Sequence, residues 1–209
     1  MRRLIGRFLL GLSLLAAPGL ANGQTEPANA EAVAIFAGGC FWCVEADFDK
    51  VSGVLSTTSG YIGGSVPNPT YQQVSAGGTG HAEAVRIVYD PSRVSYEGLL
   101  KVFWHNIDPL TANAQFCDVG SQYRSAIFYL DPRQKQLAED SKTAVEQRFA
   151  PRRIATEIAP AGEFYPAEEY HQDYYRKHEL KYEFYRWNCG RDARLKEVWG
   201  DEAGTPKES

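Results

Sequence analysis

The sequence predicts one domain that mixes strands and helices, of the α/β or α+β class. Three observations carry this. At 209 residues the chain is long enough for one well-cored domain and short for two. No internal repeat or shift in composition marks a second unit. Runs with strand character and runs with helical spacing follow one another in irregular order. The composition, 44% hydrophobic and 23% charged, is that of a globular protein and not of a disordered one.

Residues 1–23, MRRLIGRFLLGLSLLAAPGLANG, open with arginines, run apolar from Phe8 to Leu20 and end in small residues. This is the pattern of a secretory signal, with cleavage expected before Gln24. An uncleaved membrane anchor is the alternative, but the apolar run is short for a span and Gly and Pro interrupt it. Losing Arg2, Arg3 and Arg7 takes the formal charge from −4 to −7. So acidic a product, without any basic run, is not expected to bind nucleic acid or to stay on a membrane. Met1 is the only methionine and leaves with the signal, so the mature chain cannot suffer methionine oxidation.

Residues 24–31 form a polar linker. Ala32 to Ala37 is a small-apolar run stopped by Gly38-Gly39, hence a strand. Phe41, Val44 and Phe48 recur at helical spacing, so Cys40 to Lys50 is a helix. Val54 to Ile62 is rich in β-branched residues and ends at Gly63-Gly64, a second strand. Gly63 to Gly80, rich in glycine and proline, reads as one long loop, and such loops are usually functional. In His81 to Tyr89, alternation puts His81, Glu83, Val85, Ile87 and Tyr89 on one face of a strand. Ser95 to Asn106 is a helix with Ser95 as its cap. A strand at Arg124 to Leu130, a helix at Pro132 to Phe149 and a strand at Ile154 to Ala159 follow. The end, Tyr165 to Trp199, is aromatic-rich and mostly helical, and residues 200–209 look like a frayed tail.

The cysteines Cys40, Cys43, Cys117 and Cys189 all survive cleavage. In an oxidising compartment four could make two structural disulfides, though a domain this long needs none. A zinc site requires four ligands, and neither Cys117, Cys189 nor the scattered histidines complete one around Cys40 and Cys43. A thioredoxin-like dithiol fits a Cys-x-x-Cys after a strand and opening a helix, but leaves the glycine-rich loop and aromatic end without a role. A nucleophile fits best. Cys40 opens its helix behind two glycines, where unpaired N–H groups and the helix dipole favour a thiolate. Phe41 and Trp42 stand next to the sulfur; Trp42 lies off the core stripe and can face an apolar pocket. Cys43 is one turn on, within reach of Cys40, or else a small buried hydrophobe.

A thiolate attacking an oxidised centre needs an acid for the departing oxygen. Glu83 shares a strand face with Val85 and Ile87, where apolar surroundings would raise its pKa and let it donate near neutrality. Asp118 and Tyr123 stand at a strand entrance and Tyr71 in the glycine-rich loop. Alone, these three are no more than turn and loop residues.

Taken together, GGCFWCVE, SGYIGG, NPTYQQV, GTGHAEAVRIVYDP, FWHNIDP, DVGSQYRSAIFY and YHQDYY, in that order, resemble the peptide methionine sulfoxide reductases of the A type. The likeness spans residues 32–199, the expected catalytic domain. It implies an α+β two-layer sandwich around a mixed sheet. It implies Cys40 as nucleophile, Phe41 and Trp42 as the pocket for the sulfoxide methyl group, and Glu83 as the acid for the sulfoxide oxygen. Tyr71 and Tyr123 would hydrogen-bond that oxygen, and Asp118 would anchor the substrate end. The implied cycle runs from methionine-S-sulfoxide, free or in proteins, through a Cys40 sulfenic acid to a disulfide that a thioredoxin-type donor reduces. Neither metal nor organic cofactor enters it. In this family GCFW is often followed by glycine, with resolving cysteines in the C-terminal tail; here Cys43 follows instead. Cys189 is expected to resolve the sulfenic acid, with Cys43 the alternative, because a helical turn must distort to close a three-apart disulfide. Cys117 is expected to pack. The expected protein is an exported monomer, periplasmic or secreted. The rivals are a disulfide-stapled binding protein that kept the fold and a general dithiol oxidoreductase.

Overall fold

The computed structural model describes residues 31–204. The expected signal (1–23) and nearly all of the linker (24–31) lie outside the described residues, as do residues 205–209. The centre is a six-stranded mixed sheet, in spatial order β7 (Glu157–Pro160), β6 (Ser125–Tyr129), β1 (Ala32–Gly38), β3 (Ala82–Tyr89), β2 (Val54–Ile62) and β8 (Tyr165–Pro166). All neighbours are antiparallel except β6 and β7.

The two faces of the sheet are unlike because side chains alternate along each strand. Ala34, Phe36, Tyr61, Val85, Ile87 and Ile127 build the main core with the helices α1 (Phe41–Phe48), α3 (Tyr96–His105) and α4 (Pro132–Phe149). Ile35, Ala37, Ile62, Ala84 and Phe128 face the other way, under Ala161 and Phe164. This is the mixed-sheet α+β architecture expected.

Local chemistry accounts for the helix ends. The Ser95 and Asp131 side chains accept from the N–H groups of Gly98 and Gln134 and cap α3 and α4. The expected long loop is broken by a short helix, α2 (Tyr71–Ser75), which starts in a capping box. Thr70 accepts from Gln73 N–H, and the Gln73 side chain accepts from Thr70 N–H. The end is helical as expected: α5 (Tyr174–Lys177), α6 (Glu179–Asn188) and α7 (Arg191–Trp199). Order continues past Trp199, however. Gly200–Glu202 makes a 3-10 turn, Ala203 packs against the core and Gly204 N–H donates to the His105 carbonyl. The expected tail therefore does not begin at residue 200.

Candidate active site

β1 delivers the chain to Gly38, and Gly39 turns it into α1. Gly39 has φ +88°, and a Cβ there would sit 2.6 Å from the Cβ of Gln115, so only glycine lets the nucleophile loop pass. Cys40 is the N-cap of α1, with non-helical backbone at φ −51° and ψ 119°. The N–H of Phe41, unpaired within the helix, donates to Glu83 Oε2 at 3.0 Å. Glu83 comes from β3, on the helix-facing side as alternation predicts, and is 1% exposed.

Cys40, Phe41, Trp42, Tyr71, Glu83, Asp118, Tyr123 and Tyr185 line one cavity of about 70 Å³. Seven of these eight are the residues expected from sequence. The space takes a few water-sized groups, which suits the head of a sulfoxide side chain. A larger cavity of about 350 Å³ between α3 and α4 holds none of this chemistry.

Burial raises Glu83 to about 8, helped by the charge of Asp118 and opposed by the hydrogen bond from Phe41. A neutral carboxyl group thus faces the cavity at pH 7. Burial likewise raises Tyr71 to about 12 and pushes Tyr123 up, which keeps both hydroxyls as donors. Tyr71 is held from outside the cavity: Glu168 accepts from its N–H and from the hydroxyl of Tyr61.

The aromatic wall is clamped. Phe41 is 1% exposed and packs on Tyr61 and His171. Trp42 stacks on Tyr174 at 3.7 Å between centroids, and its Nε1–H donates to His171 Nδ1 at 3.0 Å. That bond fixes His171 as the neutral ring protonated on Nε2. His171 and Tyr174 belong to YHQDYY, which carried the family resemblance but had no assigned role.

Of the two thiols expected to resolve the sulfenic acid, Cys43 stands beside Cys40 and Cys189 is held elsewhere. Cys189 is bonded to Cys117, which is exposed and does not pack in the core. Cys40 and Cys43 are the free cysteines, both buried, and their side chains hydrogen-bond each other. Cys40 is the N-cap: its φ and ψ lie outside the helical region while its carbonyl accepts from the N–H groups of Cys43 and Val44. An N-cap side chain naturally meets position N3, here Cys43. Burial pushes the Cys40 thiol up. Cys43 is held down, first by the hydrogen bond from Cys40 and then by the Arg191 and Arg186 cations.

Tyr185 was not anticipated. It stands on α6, its hydroxyl donates to Asp118 Oδ2 at 2.5 Å, and it lines the cavity beside Cys40. Nothing in the local sequence marks it, since only packing of the end segment brings it there.

Comparison with known proteins agrees with this geometry. The family model described as peptide methionine sulfoxide reductase matches residues 32–203. The chain is 48% identical over 202 residues to peptide methionine sulfoxide reductase MsrA 2 of Caulobacter vibrioides, covering 96% of this chain and 100% of that one. Among solved structures it is similar to Mxr1 from Saccharomyces cerevisiae in reduced form, with TM-score 0.68 and 31% identity over 74% of this chain and 88% of that chain. Mxr1 has also been solved in complex with Trx2. The methionine sulfoxide reductase A of Corynebacterium diphtheriae gives TM-score 0.67 and 38% identity, over 75% of this chain and 78% of that chain.

Proposed function

The chain belongs to the peptide methionine sulfoxide reductase family, and from that premise we propose how its own residues reduce methionine-S-sulfoxide. The sulfoxide methyl group enters against Phe41 and Trp42. The Cys40 thiolate attacks the sulfoxide sulfur while Glu83 gives a proton to the oxygen and Tyr71 and Tyr123 donate hydrogen bonds to it. Asp118 holds the substrate end. Methionine leaves and the oxygen stays on Cys40 as sulfenic acid. Cys43 attacks that sulfur, the Cys40–Cys43 disulfide forms and water departs. A dithiol donor of the thioredoxin type then reduces the disulfide by exchange, as the complex of Mxr1 with Trx2 suggests for a relative. The observation that carries this reading is a buried neutral Glu83 and a reduced Cys40 facing one small cavity walled by rings.

The charged and apolar opening of the chain supports export, so the enzyme works in the periplasm or outside the cell. Among the described residues no helix is long and apolar enough to cross a membrane.

The test is incubation of the protein with dithiothreitol and a peptide carrying both methionine sulfoxide epimers, resolved by chromatography. Loss of the S epimer alone is expected. Retention of both epimers with Cys40 shown to be reduced would favour the binding-protein alternative. Mass mapping after one turnover without reductant is expected to find Cys40 joined to Cys43; a Cys40–Cys189 link would restore Cys189 as the resolving thiol.

A further inference from the structure

Tyr71 is one of the two hydroxyls that meet the sulfoxide oxygen in the reading above. Yet it stands in the glycine- and proline-rich segment between β2 and β3, on a helix of five residues. A donor for a reacting atom works only when held within about 0.5 Å of its place. Glu168 supplies a hold. Its Oε1 accepts from the Tyr71 N–H at 2.9 Å, and its Oε2 accepts from the Tyr61 hydroxyl at 2.9 Å. Tyr61 is buried on β2, with its ring 5.9 Å from that of Phe41. The Glu168 carbonyl accepts from the His171 N–H at 2.8 Å and so opens the turn that sets His171 against Trp42. One residue thus touches the donor for the oxygen and the supports of both methyl-pocket rings.

Glu168 is itself fixed to the sheet. β8 pairs with β2 just before it, and the Ala167 N–H donates to the Ser59 carbonyl at 2.9 Å. The Gln172 side chain brackets Ser59, accepting from its N–H at 2.8 Å and donating to its carbonyl at 2.9 Å. The carboxylate therefore carries the rigidity of the sheet edge to the Tyr71 segment. Its charge suits the task, because hydrogen bonds to an ionised acceptor are roughly twice as strong as neutral ones. Burial pulls the Glu168 carboxyl up, and its hydrogen bonds, led by that from Tyr71, outweigh burial and leave it below the ordinary range. We propose that Glu168 is a positioning residue for the reduction step, which sets Tyr71 against the sulfoxide oxygen in register with the methyl pocket of Phe41 and Trp42. This rests on the reductase reading above. Glu168 is not among the residues that line the cavity, so it acts through Tyr71 and does not touch the reacting atoms.

The experiment uses the whole folded protein and single-turnover reduction of a methionine-S-sulfoxide peptide. Glu168→Ala is expected to slow the turnover at saturating peptide about tenfold or more, with half-saturation changed less than the rate. Glu168→Gln, whose amide oxygen can still accept from Tyr71, is expected to recover most of the rate. Tyr61→Phe removes one hydrogen bond of the carboxylate and is expected to slow turnover by a smaller factor. It serves the same comparisons if the alanine variant does not fold. Glu168→Ala combined with Tyr71→Phe is expected to be no slower than the slower single variant. Tyr123 stands on a separate element, the 3-10 turn Ser121–Tyr123 after the hairpin of β4 (Ala114–Gln115) and β5 (Asp118–Val119). Combined with Tyr123→Phe, the effect of Glu168→Ala is expected to multiply. A wild-type rate in Glu168→Ala, or effects that multiply with Tyr71→Phe as well, would overturn the proposal. Hydrogen exchange at the Tyr71 amide is read beside turnover and is expected to quicken about tenfold in Glu168→Ala. Exchange does not depend on sulfoxide reduction. A protein inert toward sulfoxide whose Tyr71 amide loosens in Glu168→Ala would sink the reductase reading and leave the hold on Tyr71 standing, whereas an amide that exchanges as in wild type would overturn the hold.

Discussion

At the scale of single residues, the site is governed by what burial does to charge. Glu83 lies on an apolar strand face with one backbone N–H on its carboxyl oxygen, and desolvation outweighs that hydrogen bond. As the proposed acid it must be protonated, so the single-turnover rate should fall as pH rises through about 8. Glu83→Gln cannot ionise. It should lose about 10²-fold or more in rate and lose that alkaline fall with it. The same shift acts on stability with a definite sign. Below the unfolded pKa, near 4.5, the carboxyl is protonated in both states and contributes nothing. From there to about 8 the folded state holds the proton that the unfolded chain releases, so folding stability falls as pH rises, at up to about 1.4 kcal/mol per pH unit from this group. Denaturant unfolding of wild type and Glu83→Gln across pH 5 to 8 checks it. The two curves should diverge toward alkaline pH, with the variant losing less; parallel curves would mean Glu83 is charged in the folded protein.

At the scale of elements, α1 presents its N-terminus to substrate while the 3-10 turn Glu169–His171 and α5 clamp its second residue, Trp42. His171 accepts from Trp42 only as a neutral ring, and burial holds its pKa below the ordinary histidine value. His171→Leu leaves the indole N–H without its partner, a cost on the order of 1 kcal/mol. It should raise KM several-fold with kcat largely kept, whereas His171→Gln, which can still accept, should recover most of the loss. Tryptophan fluorescence reports whether the indole has moved. These contacts also mark how far the sequence could be read. Glycines, alternation and helical spacing give strands β1, β2, β3 and β6 and helices α1, α3 and α4, and the motif residues converge on one cavity. α2 is marked only by the Thr70–Gln73 box, which sits amid glycines and prolines that suggest loop. Tyr185 and the Cys117–Cys189 bond were not legible. They join positions 67 and 72 residues apart, and no local pattern reports contacts made only when the last helices pack.

At the scale of the molecule, the C-terminal helices complete the active site from behind, and one side chain carries most of that connection. Arg191, the first residue of α7, is 2% exposed. Its guanidinium donates to the Asn106 carbonyl at 2.8 Å and to Gly38 in the nucleophile loop, and lies 4.4 Å over the ring of Phe116. It stands 3.7 Å from Asp47 of α1, whose other oxygen takes Arg186 of α6 at 3.0 Å. So buried a cation is costly to desolvate, and its attraction to Asp47 and the carbonyls must offset that cost. Its removal therefore does more than delete a contact. Arg191→Met takes one cation from Asp47 and one donor from the Gly38 and Asn106 carbonyls. The expected loss is about 3–5 kcal/mol in denaturant unfolding. Lysine should rescue little of this, since one ammonium cannot span both carbonyls and the ring. The chemistry should move as well. Arg191 is one of the cations that hold Cys43 down, so its loss should raise the pH at which Cys43 is alkylated and slow disulfide closure after sulfoxide reduction, while the first turnover proceeds. A variant that loses stability but keeps the Cys43 profile and closure rate would confine Arg191 to packing. A shift in both would make the C-terminal segment, through one buried charge, part of the second half of the catalytic cycle.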